Sequence, residues 1–420
     1  MKAGYRRPRL GLAMMGLGFL AAMPVYAGPI YALQKTIPIP ADPGNKSGTF
    51  LAYDISFFDA NTQNYYLADR SNASVDVFSA QTDSFVARIL GFQGLQATTS
   101  TSGPNGVLVV NQPGLHQLWA GDGNSTLAGF SIGGSPAAPT YAPILGTPVA
   151  TGTPANFRVD TMAYDSNSNH ILVVNNAATA PFVTLIDVTT NAIVAKTIFD
   201  GVVNPNAAGG IEQPAYNAVT GTFFVALSQI GNSSTDPGGI SEINASTGAV
   251  VRTISLASLG LTSCTPNGLT VGPAGKMLVG CASSQSVILD PTKSGAAQLV
   301  ATILQTSGSD EVWYDPTSKN YFLADLLNPG GPMLGIIDAL TNTFLENLPT
   351  APGAHSVAVD PVSGQVFVPV GGVPGNTVCP NGCIEVFGAT LASVPEPGSV
   401  ALLAIGVLGI PNIRRALIRR

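Results

Sequence analysis

Charge is scarce in this chain: only 10% of its 420 residues are Asp, Glu, Lys or Arg. Helical patterning is scarcer still. Away from the two ends no long stretch repeats apolar residues at helical spacing, which excludes a helical bundle or an α/β sandwich. No GxSxG, HExxH, P-loop or GxGxxG stands in the strand–turn–helix context those motifs need. Nothing therefore marks a serine hydrolase, a zinc protease, a nucleotide-binding loop or a dinucleotide fold. The four cysteines show no CxxC or Cys/His spacing, so no zinc or haem ligand set is legible. What is plentiful is Gly, with 47 residues, and Pro, with 32. That composition suits many short strands joined by turns.

Both ends read as targeting segments. Residues 1–27 begin with Lys2, Arg6, Arg7 and Arg9, continue through an apolar core from Leu10 to Met23, and end in Val25-Tyr26-Ala27. This predicts a secretory signal peptide cut after Ala27, because the core is short and the site residues are small. The other end carries Pro395-Glu396-Pro397, an apolar run from Val400 to Ile410, and then Arg414, Arg415, Arg419 and Arg420. The run is shorter than the ~20 residues of a membrane-spanning helix, and the basic cluster behind it fits a positive-inside stop. This order resembles the PEP-CTERM sorting tail of Gram-negative bacteria, although Pro411-Asn412 interrupts the apolar segment. The resemblance implies transient membrane anchoring and cleavage by an exosortase-like sorting protease. It also implies delivery to the cell envelope, outer surface or extracellular matrix. The expected domains are 1–27, a signal peptide; 28–392, the body; and 393–420, the sorting tail.

The formal charge of −6 hides the character of the body. All eight basic residues of the two ends lie outside it, so 28–397 keeps 10 basic and 24 acidic residues, near −14. Such a surface argues against nucleic acid or anionic lipid as a partner and is compatible with cation binding.

Internal repeats determine the expected fold. The stretches 77–89, 185–198, 242–254 and 336–348 each alternate apolar and polar residues, turn through Thr, Asn, Gly or Asp, and alternate again. A second hairpin precedes each: ISFFDANTQNYYLAD (55–69), TMAYDSNSNHILVVN (161–175), PAYNAVTGTFFVAL (214–227), LTVGPAGKMLVGC (269–281), VWYDPTSKNYFLAD (312–325) and VAVDPVSGQVFVPV (357–370). A divergent copy occupies 106–122. Four antiparallel strands recurring in this way predict an all-β, seven-bladed β-propeller. The last copy lacks its fourth strand, and YALQKTIPI near 31–38 is expected to supply it and close the ring, removing an exposed sheet edge. The hairpin phrase resembles the YVTN-type propeller repeat of bacterial surface proteins, which implies fold more than activity.

Five residues before the Asp, Asn or Gly that ends each first strand, the copies carry Asp54, Asp160, Glu212, Asn267, Asp310 and His355, with Asn105 in the divergent copy. In a propeller these seven residues would ring the channel mouth. The long connections 91–104, 131–157, 228–239 and 370–383, and the strand ends Asp69, Asp122, Asn175 and Asp325, are expected on the same face. Oxygen-rich rings of this kind suit Ca²⁺ or Mg²⁺, with Asp160, Glu212, Asn267 and Asp310 as candidate ligands. A resemblance of residue types to gluconolactonase-type propellers implies an alternative: a metal-dependent hydrolase or lyase acting on a lactone or polysaccharide fragment, with His355 as a general base. The leading expectation is an interaction module that takes a polysaccharide or protein ligand on this acidic face. His116 and His170 fall at the opposite face and read as surface residues. In an exported protein, Cys264 with Cys281 and Cys379 with Cys383 are expected to form disulfides.

Overall fold

The computed structural model describes residues 30–231, 233 and 235–390. The signal segment and the sorting tail expected at the two ends lie outside the described residues. The described chain folds into seven antiparallel sheets, one per repeat, and helix is confined among these residues to five short 3₁₀ turns. The protein is the seven-bladed propeller that the repeats predict.

Blade 1 shows the plan: Ser56–Asp59, Asn64–Asp69, Ser74–Ser79 and Ser84–Leu90 pair in that order. Burial falls from the inside outward. The second and third strands are buried at every position, whereas the fourth is exposed at both ends and mostly half-buried between them. The apolar side chains interdigitate between neighbouring sheets. Leu172, Val174 and Leu185 of blade 3 meet Phe223, Val225 and Leu227 of blade 4 in one cluster. Full burial of each such side chain contributes about 1.5–3 kcal/mol before ordering costs, so most of the stability lies in the seams between blades.

The Asp or Asn that ends a first strand makes the turn behind it. Asp59, Asp165, Asn217, Asp315 and Asp360 each accept a hydrogen bond from the backbone N–H two residues on, at 2.8–3.1 Å. This is the local bond that such short side chains offer in place of a ladder bond. It explains why the repeats share that column. A left-handed residue then closes several of these turns, as at Gln63, Asn169 and Lys319.

Ring closure follows the sequence. Tyr31–Pro38 pairs antiparallel with Cys383–Ala389, making the N-terminal strand the outermost of blade 7. The Cys379–Cys383 disulfide adjoins this junction, and Cys264–Cys281 ties the start of blade 5's first strand to the end of its second, with Cα atoms 4.7 Å apart.

One connection departs from expectation. The stretch 131–157 was expected among the long connections beside the channel mouth, with TYAPIL (140–145) as a strand of the divergent repeat. The third strand of blade 2, Thr126–Ser135, runs on through its first half into a hairpin with Ala138–Pro143, which overlaps that strand. The tip reaches the opposite face, where Asn64 Nδ2 donates to the Pro136 carbonyl at 3.2 Å. Strand alternation continues through Phe130 and Ile132 and outweighs the Gly/Pro content of the connection.

Candidate functional site

The first strands line the central channel, and the seven ring positions stand at or just before their N-terminal ends. The structure brings five of them toward one acidic mouth. Asp54, Asp160, Glu212, Asn267 and Asp310 line a cavity of about 60 Å³ together with Arg158, Gln213 and Glu311. Asn105 and His355 do not line it. Asn105 is fully buried, accepts from Arg70 Nε at 2.9 Å and donates to the carbonyls of Ser102 and Val159. His355 stacks on Tyr53, with ring centroids 4.1 Å apart, and its Nδ1 lies 2.9 Å from the Gly353 carbonyl.

Blades 1 to 3 and blades 4 to 6 present their ring residues differently. On the first side, Asp54 and Asp160 each have an arginine. Arg70, at the end of blade 1's second strand, pairs through Nη2 with Asp54 and also holds Asn105 and the Tyr53 carbonyl. Arg158 reaches forward to Asp160, Nη2 to Oδ2, at 3.0 Å. On the second side, the first strands of blades 4, 5 and 6 are all irregular. Pairing slips between Ile211 and Pro214, between Pro266 and Gly268, and between Ser309 and Val312. A bulge lets successive residues escape strict alternation. Glu212 and Gln213, and likewise Asp310 and Glu311, can therefore both face the cavity.

The charges respond to this enclosure. Burial pushes Glu212 well above the usual carboxylate range, and the charges of Asp160 and Asp310 push it further. Glu311 is raised in the same way, by burial and then by Asp54 and Asp310. Asp160 rises only to about 6, because Arg158 counters its burial. Burial also works against the Arg158 cation, but Asp160 and Asp54 outweigh it and hold its pKa above the ordinary value. Close carboxylates in a small cavity must share protons, pair, or take up a cation. Asp54 and Asp160 pair with arginines, and burial favours the protonated forms of Glu212 and Glu311.

Gln213 forms the floor. Its Oε1 accepts from the backbone N–H groups of Leu269 at 2.9 Å and Val312 at 3.2 Å, and its Nε2 donates to the Val312 carbonyl at 3.1 Å. One side chain of blade 4 thus ties blades 5 and 6 together across the channel.

The four strand-end residues expected on this face are buried and serve its corners. Asp69 binds Asn72, Asp122 binds the N–H groups of Gln93 and Gly123, Asn175 binds Thr151, and Asp325 accepts from the Ser309 hydroxyl. His116 and His170 lie at the opposite face, half-buried, and each joins two blades. His116 Nε2 lies 2.9 Å from Asp59, and His170 Nδ1 lies 2.8 Å from the Ala245 carbonyl. Sequence reasoning missed Arg70, Arg158, Gln213 and Glu311. The two arginines carried a signal: they are two of only ten basic residues in the body, each within two residues of an acid already singled out. Gln213 and Glu311 carried none, since alternation aims the neighbour of a channel residue away from the channel.

A family model for the PEP-CTERM protein-sorting motif matches residues 393–420. The motif implies an exported protein processed by an exosortase-type system. No curated protein sequence matches the chain. Solved structures match in large number, 1412 chains in all, which is the behaviour of a fold that hosts many activities. A chain in the crystal structure of the mitotic checkpoint complex is 13% identical, covers 90% of this chain and 99% of itself, and has a TM-score of 0.56. Hydrazine synthase of Kuenenia stuttgartiensis is also 13% identical, over 65% of this chain and 80% of its own, with a TM-score of 0.48. At such identity the likeness concerns the fold alone.

Proposed function

We propose that this exported propeller is a binding module of the cell envelope or extracellular matrix, and that Glu212, Asn267, Asp310 and Glu311 hold a cationic group of its partner. The observation that carries this reading is the unpaired acidic half of the channel mouth. Five carboxylates, Asn267, Gln213 and Arg158 border one cavity of about 60 Å³, and of those carboxylates Glu212, Asp310 and Glu311 have no ion pair among the described residues. That volume is about two water molecules' share. It suits an ammonium head or a partly hydrated cation, not a whole sugar ring. The basic, apolar and small-residue order of 1–27 supports export by a cleaved signal peptide. The C-terminal motif supports anchoring at a Gram-negative envelope, and the hairpin phrase supports kinship with YVTN-type surface propellers. The gluconolactonase-type alternative requires several donors on one ion. Among the described residues no three His, Cys, Asp or Glu side chains are grouped to hold a metal directly, so the geometry favours a cationic group held by hydrogen bonds or through its water over a chelated catalytic ion.

Thermal melting of the purified protein with Ca²⁺, Mg²⁺ or spermidine at matched ionic strength tests the reading. A ligand that binds only the folded state raises Tm. The expected result is a rise with at least one cation that disappears in a Glu212→Gln, Asp310→Asn double variant. No rise with any of the three, or an equal rise in the variant, rejects it.

A further inference from the structure

Beyond the Gln213 floor the channel widens again toward the opposite face, and nothing in the reading above uses that space. The cavity there has a volume of about 310 Å³, at the lower end of the range typical of small-molecule sites. Its walls come from the first strands of blades 1 to 6, and its lining contains no Asp, Glu, Lys, Arg or His. In a body carrying more than twice as many acidic as basic residues, a wholly uncharged chamber is a selective environment. Five aromatic rings line it: Phe57, Tyr164, Tyr216, Trp313 and Tyr314. Trp313 meets Phe57 edge-on, with centroids 5.3 Å apart. The two rings come together from blades 6 and 1, across the shortest first strand of the ring, Ala358–Val359.

Polar capacity beside those rings is unspent. Tyr164 Oη already donates to Asn169 at 3.0 Å, and Tyr216 Oη accepts from Asn167 Nδ2 with the Asp165 carboxylate beside it to take its proton. Tyr314 Oη, Thr270 Oγ1 and Trp313 Nε1 have no hydrogen-bond partner among the described residues. Aromatic faces flanked by free hydroxyl and indole donors match a ligand with apolar faces and a polar edge. A purely apolar ligand would strand those donors, and burying a donor without a partner opposes binding. An anion would meet no cation here.

We infer that this vestibule is a second binding site, separate from the acidic mouth, and that it takes a neutral saccharide unit stacked on Trp313 with its hydroxyls on Tyr314 and Thr270. The inference does not rest on the cation-binding reading, since no charged group of the mouth lines the vestibule. The protein carries its own reporter. It has two tryptophans, of which Trp119 is fully buried and Trp313 borders the site.

The test is titration of the full chain with cellobiose, maltose, mannobiose and galactobiose, read by calorimetry and tryptophan fluorescence, with indole as the apolar comparison in calorimetry. The expected result is saturable heat and a matching fluorescence change with at least one disaccharide. In a Tyr314→Phe, Thr270→Val variant, which keeps the cavity's shape, affinity should fall about tenfold through loss of two hydroxyl contacts. Three results overturn the inference: no saturable binding by any of the disaccharides, binding of indole without any saccharide, or saccharide binding undiminished in a variant whose melting temperature is unchanged.

Discussion

In blades 1 to 3 each carboxylate of the channel mouth has an arginine of its own, Arg70 for Asp54 and Arg158 for Asp160. In blades 4 to 6 the carboxylates Glu212, Asp310 and Glu311 have amides, hydroxyls and one another. The same position of the same repeat thus handles buried charge in two ways. One half neutralises it with a fixed cation, and Asp160 stays closer to its ordinary range. The other half leaves burial and like charge to act, and Glu212 and Glu311 retain protons well above the usual carboxylate range. Arg158 borders the same cavity, but its charge is spent on Asp160 and leaves the unpaired carboxylates open to a second cation. A site that holds protons can exchange them for one, which is why the proposed ligand is placed on the second half.

Breaking the paired half should have the largest effect. Arg70→Met leaves Asp54 without its cation and Asn105 without its donor in a largely buried setting. A loss of about 3–5 kcal/mol is expected, as for removal of one partner of a buried pair, measured by denaturant unfolding. The floor comes next. Gln213→Leu strands the N–H groups of Leu269 and Val312, at about 1–3 kcal/mol for each group left unsatisfied. It should also open the channel, which hydrogen exchange at Leu269 and Val312 would register.

Acid chemistry sharpens the contrast. The folded-state pKa values of Glu212 and Glu311 lie above their unfolded values, so their protonated forms favour the fold. That contribution is complete below the unfolded pKa, near 4.5, and is lost as pH rises through the folded values. Asp160 acts likewise over a narrower window, from about 4 to about 6. Melting temperature should therefore fall as pH rises from 4.5 through neutrality. Glu212→Gln should flatten that fall, gaining stability at pH 8 while changing little at pH 4. An unchanged pH slope in the variant would refute the protonated-half account. The smallest stability effect belongs to the vestibule: Tyr314→Phe removes an unbonded hydroxyl and should shift stability by no more than about 0.5 kcal/mol, read as a nearly unchanged Tm.

The fold was legible because propeller periodicity is written locally. The Asp columns at 59, 165, 315 and 360 make turns by bonding their own backbone, and the strands between them alternate. Both signals survive in a single chain without knowledge of any neighbour. Closure by Tyr31–Pro38 was legible for the same reason, as a strand missing from the last repeat and present at the start. The ring column was legible as a position, since polar residues at the head of buried strands stand out by count.

What each ring residue does was decided only in three dimensions. Asn105 and Asp160 occupy the same column, yet one is consumed by Arg70 and two backbone carbonyls, while the other faces the cavity. His355 is turned onto Tyr53, a contact across 302 residues of sequence. Glu311 and Gln213 entered the site through bulges that break the alternation on which the sequence argument rests. The sequence by itself determined seven repeats, their turns and an acidic end to the channel, because each depends on bonds between residues near one another in the chain. Which acids are paired, which hold protons, and where the channel is floored depended on blades packed side by side, because electrostatic partners and desolvation are properties of that packing.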